Sequence, residues 1–318
     1  MMPAPAGTTL KDPVAGRDAA TTDTPGTDSR EVLGRIRRLV LGRSDLLELL
    51  ARQARLMPAR VFPHTDSSGE ALLDIYLEEH LFLFHLVAPR LRPGVRVLEV
   101  GGGLGFFHVL AHASGADIVS VEPSDAGFSV ARAVAIPLLE ALTGEPGRFL
   151  DVRVEDLDAP DASFDLVVSN NVLEHVIDLS RVIDAMHRLT APGGTQVHHC
   201  PNYLFPYEPH YKVPVLPCAV RVSGELCWRG FRHDPLWRSL NSISSLAVSR
   251  LVRRLPGASL HFRNATALTL QRLLTDEHLA ARHGWLTRFV LLPPVRAALT
   301  SLSPMVMSPM IFEIRKAQ

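Results

Sequence analysis

The chain has 318 residues, about twice the length of a compact domain, with 47% apolar and 21% charged residues. One large domain or two small ones are possible, and a wholly disordered chain is ruled out. The 33 basic and 33 acidic residues cancel, so overall charge argues against nucleic acid and against an anionic membrane surface as partners. Three cysteines, Cys200, Cys218 and Cys227, without a Cys-x-x-Cys pair argue against a disulfide framework and a four-cysteine zinc site, and fit a reducing cytoplasm.

Residues 1–28 are mostly Ala, Thr, Gly, Pro and Asp with no apolar run, and read as a flexible tail, not a signal peptide. From Glu31 to about Arg60, Val32, Ile36, Leu39, Leu46, Leu49 and Leu50 fall at helical spacing, with interruptions expected at Gly34 and Gly42. Pro63 to Gly69 is expected to be a loop, and Glu70 to Leu91 a second helix ending before Pro93-Gly94. Strands are then expected at Val95–Val100, Asp117–Glu122, Arg148–Val154, Phe164–Ser169 and Thr195–His199. Helices are expected between them at Phe106–His112, Ala126–Leu142 and Leu179–Leu189. This alternation predicts a parallel sheet with right-handed crossovers. Residues 201–240 read as an ordered irregular insertion. They are followed by a helix over Ser242–Leu255, a strand over Ser259–Arg263, helix over Leu268–Val295 and a closing strand over Met310–Arg315. The longest run without a charged residue or histidine, Ala297–Phe312, contains Pro304 and Pro309 and is shorter than the roughly 18 residues of a membrane span, so no transmembrane segment is expected.

The strongest chemical signal is Val97-Leu-Glu99-Val-Gly101-Gly-Gly103-Leu-Gly105. A strand ends in an acid, a glycine loop follows, and a helix begins. Such a loop lets a ligand approach the backbone beside the N–H groups of a helix start. A dinucleotide fingerprint needs a third glycine at position 106, which is Phe106, so a dehydrogenase is the weaker reading. The acid followed by G-x-G-x-G resembles the first motif of class I S-adenosylmethionine-dependent methyltransferases. The resemblance continues through Glu122 at the end of the second strand, Val154–Ser169, Asn170-Asn-Val-Leu-Glu-His-Val176 and Leu189-Thr-Ala-Pro-Gly-Gly194. The segment containing Leu173-Glu-His-Val176 is similar to the subgroup that includes ubiquinone-pathway methyltransferases. The likeness covers about residues 93–201.

The resemblance implies an α/β, Rossmann-like, doubly wound, seven-stranded and mostly parallel sheet with an N-terminal helical cap and a C-terminal helical lid. It divides the chain into a tail (1–28), a helical cap (29–92), a cofactor-binding core (93–200), a substrate loop and lid insertion (201–309) and a closing strand (310–318). It implies S-adenosyl-L-methionine as cofactor, with Glu99, Gly101, Gly103, Gly105, Glu122 and Asn170 around it. Many members have an Asp for the adenine amino group where this chain has Arg153; Glu155 or Asp156 could serve instead. The implied function is methyl transfer to O, N or C of a small-molecule acceptor, O-methylation favoured, in specialised or glycan metabolism. The alternative is a non-catalytic binding or scaffold subunit that keeps the fold.

His175, just past the fourth strand, either acts on the substrate or caps the next helix with Glu174. Tyr203, Tyr207 and Tyr211 lie within nine residues that also hold Glu208 and His210. These types suit acceptor binding and proton transfer, with His210 first and Tyr207 orienting; a packed aromatic plug is the competing reading. His198, His199, Cys200, His210, Cys218 and Cys227 match no zinc spacing, and adjacent histidines on a strand face opposite ways, so no metal is expected. In the second helix, Tyr76, Glu79 and His80 could cover the cofactor, while His85 reads as a core histidine.

Overall fold

A computed structural model describes residues 28–56, 69–124, 129–211, 213–227, 233–275, 280 and 285–318. The tail over 1–27, most of the loop expected at Pro63–Gly69, the start of the helix expected at Ala126, and residues 276–279 and 281–284 of the helix expected at Leu268–Val295 lie outside them.

The cap comprises α1 (Ser29–Leu41), α2 (Ser44–Leu56) and α3 (Gly69–Val87). Gly34 lies inside α1 and does not interrupt it; the break falls at Gly42, whose N–H donates to the Arg38 carbonyl while the Arg43 N–H donates to that of Val40. Next come β1 (Arg96–Val100), α4 (Phe106–Ala113), β2 (Asp117–Val121), α5 (Ser129–Leu142), β3 (Phe149–Leu150), β4 (Phe164–Asn170), α6 (Leu179–Leu189) and β5 (Thr190–Cys200). The insertion holds a two-stranded hairpin, β6 (Tyr207–Glu208) and β7 (Val213–Pro214), then α7 (Val220–Cys227), α8 (Pro235–Ser239) and α9 (Ser245–Val252). The chain continues through β8 (Ala258–Arg263), α10 (Ala265–Thr275), α11 (Trp285–Val290), α12 (Pro293–Ser301) and β9 (Met310–Lys316).

Seven strands form one sheet in the order β3-β2-β1-β4-β5-β9-β8. The first five are parallel, and β9 runs antiparallel to both β5 and β8. β8 therefore belongs to the sheet although it lies within the 201–309 segment. Two strands depart from the expected bounds for physical reasons. β3 is two residues long because the chain turns away at Asp151, whose carboxylate accepts hydrogen bonds from the Ser124 N–H (2.8 Å) and hydroxyl (2.7 Å). β5 begins at Thr190, and Pro192-Gly193-Gly194 forms an irregularity inside it, with Phe164 opposite Thr190 but Leu166 opposite Thr195.

Both faces of the sheet are covered, so its central strands are apolar without alternation. On one face Val97, Ile118, Leu166, Val168 and Val197 pack with Ile36, Leu73, Phe106, Leu110 and Leu138 of the helices preceding β3. On the other, Leu98, Val119, Val167 and Phe312 pack with Ile183 and Met186 of α6, Val248 of α9, and Tyr203, Tyr211 and Trp237 of the insertion. His85 is exposed on α3, which corrects its reading as a core histidine; the buried histidine of that helix is His80. Among the described residues, no helix is long and apolar enough to cross a membrane.

One buried carboxylate ties the cap to the far side of the sheet. Glu313 of β9 is 1% exposed and receives both oxygens' worth of hydrogen bonds from Arg90, just after α3 (2.9 and 3.0 Å). Arg263 of β8 lies 2.8 Å from it and Arg315 3.1 Å. Neutralising the acid leaves the partly exposed Arg90 and Arg263 without their counter-ion. Glu313→Gln is expected to lower unfolding free energy by about 3 kcal/mol. Arg315→Ala, which removes an arm that is 60% exposed, should cost less than about 1 kcal/mol. Chemical denaturation of both variants checks the ranking.

Candidate active site

β1 delivers Glu99 and Val100 to the carboxyl edge of the sheet, and the chain turns there on the Val121 carbonyl, which accepts from the N–H of Gly101 (2.9 Å) and of Gly102 (3.2 Å). Gly101 has φ +76°, and a Cβ there would overlap the methyls of Val172, in the loop after β4. Glycine is required at this position because two loops meet backbone to side chain. Gly103 has φ +51°, and a Cβ there would meet nothing nearer than His80 Nε2 at 3.7 Å. Its backbone is thus open to a ligand beside α3, where His80 stacks on Tyr76 and meets Phe106 edge to face. Gly105 precedes α4 with no side-chain cap, leaving the first N–H groups of that helix facing the same edge.

Glu122, one residue past β2, is buried, and its Oε2 accepts from the Gly103 N–H at 3.0 Å. The structure thus brings the acid and the glycine loop into direct contact. Asn170 ends β4, and its Oδ1 lies 2.6 Å from His199 Nδ1. Glu155 and Asp156 stand in the 3-10 turn Val154–Asp156 after β3, two strands from β1, half-buried and exposed respectively.

Glu99 lies beneath the loop, not on its surface. It is 1% exposed and accepts from the Ser120 hydroxyl at 2.5 Å, while Ser120 Oγ lies 2.8 Å from His108 Nδ1. Burial, seconded by the nearby Glu122 carboxylate, pushes the Glu99 carboxyl up to about 8 against the pull of the Ser120 hydrogen bond. His108 and Ser120 carry no motif signal; only their register on α4 and β2 brings them to Glu99.

A second group lies beyond the ends of β4 and β5. Glu208 is fully buried and accepts from the Tyr203 hydroxyl (3.1 Å), the Tyr211 N–H (2.6 Å) and His210 Nδ1 (2.5 Å). The Glu208 carboxylate only accepts, so His210 carries a proton on Nδ1. His175 Nδ1 lies 2.7 Å from Ser239 Oγ, which itself donates to the Leu236 carbonyl, so Ser239 accepts and His175 likewise carries a proton on Nδ1. The two rings stand edge to face at 5.4 Å. Burial, then the neighbouring His210, depresses His175 to about 3. Glu174 is fully buried beside them, with no hydrogen-bond partner for either oxygen among the described residues. Burial pushes its carboxyl up to about 7.

The aromatic segment is part core and part half-buried surface. Tyr203 and Tyr211 are fully buried core residues, with Tyr211 edge-on to Trp237 at 5.1 Å, whereas Tyr207 and His210 remain half-buried. Asn241 is a residue that motif reading misses. Its amide donates to the carbonyls of Leu173 (2.7 Å) and Val176 (2.9 Å), and its N–H donates to the Glu174 carbonyl (2.9 Å), which fixes the loop carrying Glu174 and His175. His198 and His199 do face opposite ways. His198 meets Ser169 and Phe312, and His199 meets Asn170 and Phe82.

The Glu99 shift has a pH consequence with a definite sign. A carboxyl whose folded value lies above its unfolded value contributes fully below about 4.5, and that contribution is lost as pH rises toward about 8. Glu99→Gln is expected to flatten the decline in Tm between pH 5 and 8 relative to the parent protein. Thermal melts of both across that range test this; identical slopes would place the ionised form of Glu99 at no disadvantage.

Residues 74–253 match the model of a methyltransferase domain. An uncharacterized protein of Mycobacterium tuberculosis (strain ATCC 25618 / H37Rv) is 33% identical over 207 residues, 61% of this chain and 68% of that protein. An uncharacterized methyltransferase of Mycolicibacterium vanbaalenii is 33% identical over 189 residues, 58% of this chain and 71% of the relative. A geranyl diphosphate methyltransferase solved with GPP and sinefungin superposes with a TM-score of 0.50 at 17% identity, covering 78% of this chain and 80% of that one, and shares the fold. A Haemonchus contortus phosphoethanolamine N-methyltransferase solved with S-adenosyl-L-methionine matches at a TM-score of 0.49 and 16% identity over 74% of this chain; the match spans about half of that protein, 53%. With the family model covering more than half of its length, the chain belongs to the methyltransferase-domain family and is a class I S-adenosylmethionine-dependent methyltransferase.

Proposed function

We propose that the protein methylates a small-molecule acceptor, on oxygen in preference to nitrogen or carbon, at the junction between the glycine loop and the His175–His210 pair. The observation that carries this reading is the contact of Val172 with Gly101, since the loop that continues into Glu174 and His175 starts against the cofactor loop. The open backbone at Gly103 and the carboxylate of Glu122 beside it fit the methionine and ribose parts of S-adenosylmethionine. Glu99 supports the loop from below, Gly105 opens α4, and Asn170 borders the site at the end of β4. Glu155 and Asp156 are assigned the adenine end. When bound, the cofactor supplies a sulfonium methyl group. The chain's own residues exclude water with α3, hold the acceptor, and present His210 Nε2 to the acceptor proton. Tyr207, on the same hairpin as Glu208, is assigned to orienting the acceptor, and His175 to the wall opposite His210. Positioning of this kind is worth on the order of 7–11 kcal/mol.

The segment Asn170–Val176 supports a likeness to the ubiquinone-pathway subgroup. Among the known relatives, the geranyl diphosphate methyltransferase is named for a small acceptor. Balanced charge supports an acceptor other than nucleic acid, and specialised or glycan metabolism is the setting we favour. Cys200 and Cys218, both unpaired thiols, support a reducing, cytoplasmic location. The organisation we infer keeps a helical cap over 29–92, a cofactor core over 93–200, and a substrate segment over 201–309, with β8 and the 310–318 strand completing the sheet.

Calorimetry with S-adenosylmethionine and S-adenosylhomocysteine tests the cofactor assignment. Glu122→Ala is expected to weaken binding by about 10-fold to 100-fold, the worth of hydrogen bonds to a charged group. Gly103→Val should abolish it, because a β-branched residue fits poorly at positive φ and its side chain enters the ligand's space. Absence of binding by the parent protein would favour a scaffold role.

For the acceptor, His210→Ala is expected to retain cofactor affinity and lose about 10²-fold or more in kcat. A fall in Tm with unchanged kcat would leave His210 a packing residue and move the catalytic role to His175.

A further inference from the structure

We propose that Glu174, His175 and His210 form a binding site for one divalent metal ion of the zinc class, beside the acceptor position. One carboxylate oxygen and one ring nitrogen from each histidine lie within 4.8 Å of one another. A tetrahedral zinc with bonds of about 2.0–2.1 Å needs its ligands about 3.3–3.4 Å apart. Small side-chain rotations close that difference.

Three further observations point the same way. The first is Glu174 itself, fully buried, directed into the group and lacking any hydrogen-bond partner for its two oxygens among the described residues. A buried carboxylate is otherwise paired, hydrogen-bonded or bound to a metal. The second is the outer shell. Glu208 Oε1 holds His210 Nδ1 at 2.5 Å and Ser239 Oγ holds His175 Nδ1 at 2.7 Å, so both imidazoles turn Nε2 inward, the arrangement that fixes ligating histidines elsewhere. The third is the firmness of the frame. Asn241 pins the Glu174–His175 loop through three hydrogen bonds, and Glu208 closes the hairpin that carries His210.

The donor set chooses the ion. Two imidazoles and one carboxylate suit zinc, cobalt, nickel or iron(II), whereas magnesium and calcium prefer oxygen ligands throughout. Three protein ligands leave a position for water or for an oxygen of the acceptor, as in sites that act on bound substrate. Of the candidates that sequence spacing brings forward, His210 alone takes part. His198, His199 and Cys200 play no part, and the decisive pairing is between residues 174–175 and residue 210.

A metal held by His210 Nε2 occupies the lone pair that the metal-free protein offers to the acceptor proton, so the two roles belong to different states of the site, and the metal is read without a methyl donor. Full-length protein, stripped with a chelator, is titrated with Co2+ alone and followed by visible absorption, with Zn2+ as competitor and Mg2+ as control. One equivalent of Co2+ is expected to give d–d bands that Zn2+ displaces and Mg2+ does not. Glu174→Gln and His210→Ala should each weaken Co2+ binding by about 100-fold or more, with S-adenosylhomocysteine affinity and near-ultraviolet circular dichroism retained as proof of folding. His261→Ala, on β8 in the sheet, is the control for the other histidines and should bind as the parent. Lack of Co2+ bands in the parent, or equal affinity in the Glu174→Gln and His210→Ala variants, overturns the site and leaves Glu174 a carboxyl kept neutral or paired with His210. Loss of S-adenosylhomocysteine binding with metal binding intact would instead count against the methyltransferase reading alone.

Discussion

Burying a carboxylate is the most expensive thing this fold does repeatedly, and the way each is compensated decides what surrounds it. Glu313, Glu208, Glu99 and Glu174 are all within 1% of complete burial. An ionised carboxylate in a dry interior must be paired, hydrogen-bonded or neutralised. Glu313 is paired by arginines drawn from three separate segments, and so joins cap, β8 and β9. Glu208 is satisfied by a hydroxyl, a backbone N–H and an imidazole, and so builds the hairpin. Glu99 meets one hydroxyl and is held toward its neutral form. Glu174 has no hydrogen-bond partner for either oxygen among the described residues and meets only the neighbouring imidazoles, with His175 Nε2 at 3.9 Å.

The same accounting separates two acids of one edge of the sheet. Glu99 and Glu122 both end strands of the parallel half-sheet, one strand apart. Glu99 points under the glycine loop to Ser120, whereas Glu122 turns up to the Gly103 N–H. The first stabilises the turn, and the second stands where a ligand's hydroxyls can compete for it. A shared position at a strand end therefore says little about role until the direction of the side chain is known.

The α/β core was legible because its signals are local. The alternation of apolar runs and helices from residue 95 to 200, with glycines after β1, determines strand identity and sheet type without long-range information. The limits of β3 and β5 were not legible. The first is cut short by a side-chain contact from Asp151 to Ser124, and the second takes up a proline and two glycines as an irregularity that normally marks a turn. His85 was misread because apolar neighbours in sequence do not share its face of the helix. The acceptor side was half legible: clustering drew attention to Tyr203–Tyr211, but Ser239 and Asn241 meet the Leu173–Val176 loop only through the fold, across more than sixty residues of chain.

The insertion of β9 between β5 and β8 carries a kinetic implication. Cys200 pairs with Met310, so β5 finds its second neighbour 110 residues later. Pairings over such separations must meet the entropy of closing a large loop before contacts reward it, and they form late. Until they do, the apolar edge of β5 is an open template for another chain. Refolding yield should therefore be governed by competition between β9 docking and intermolecular pairing at β5, and dilution should favour the native sheet.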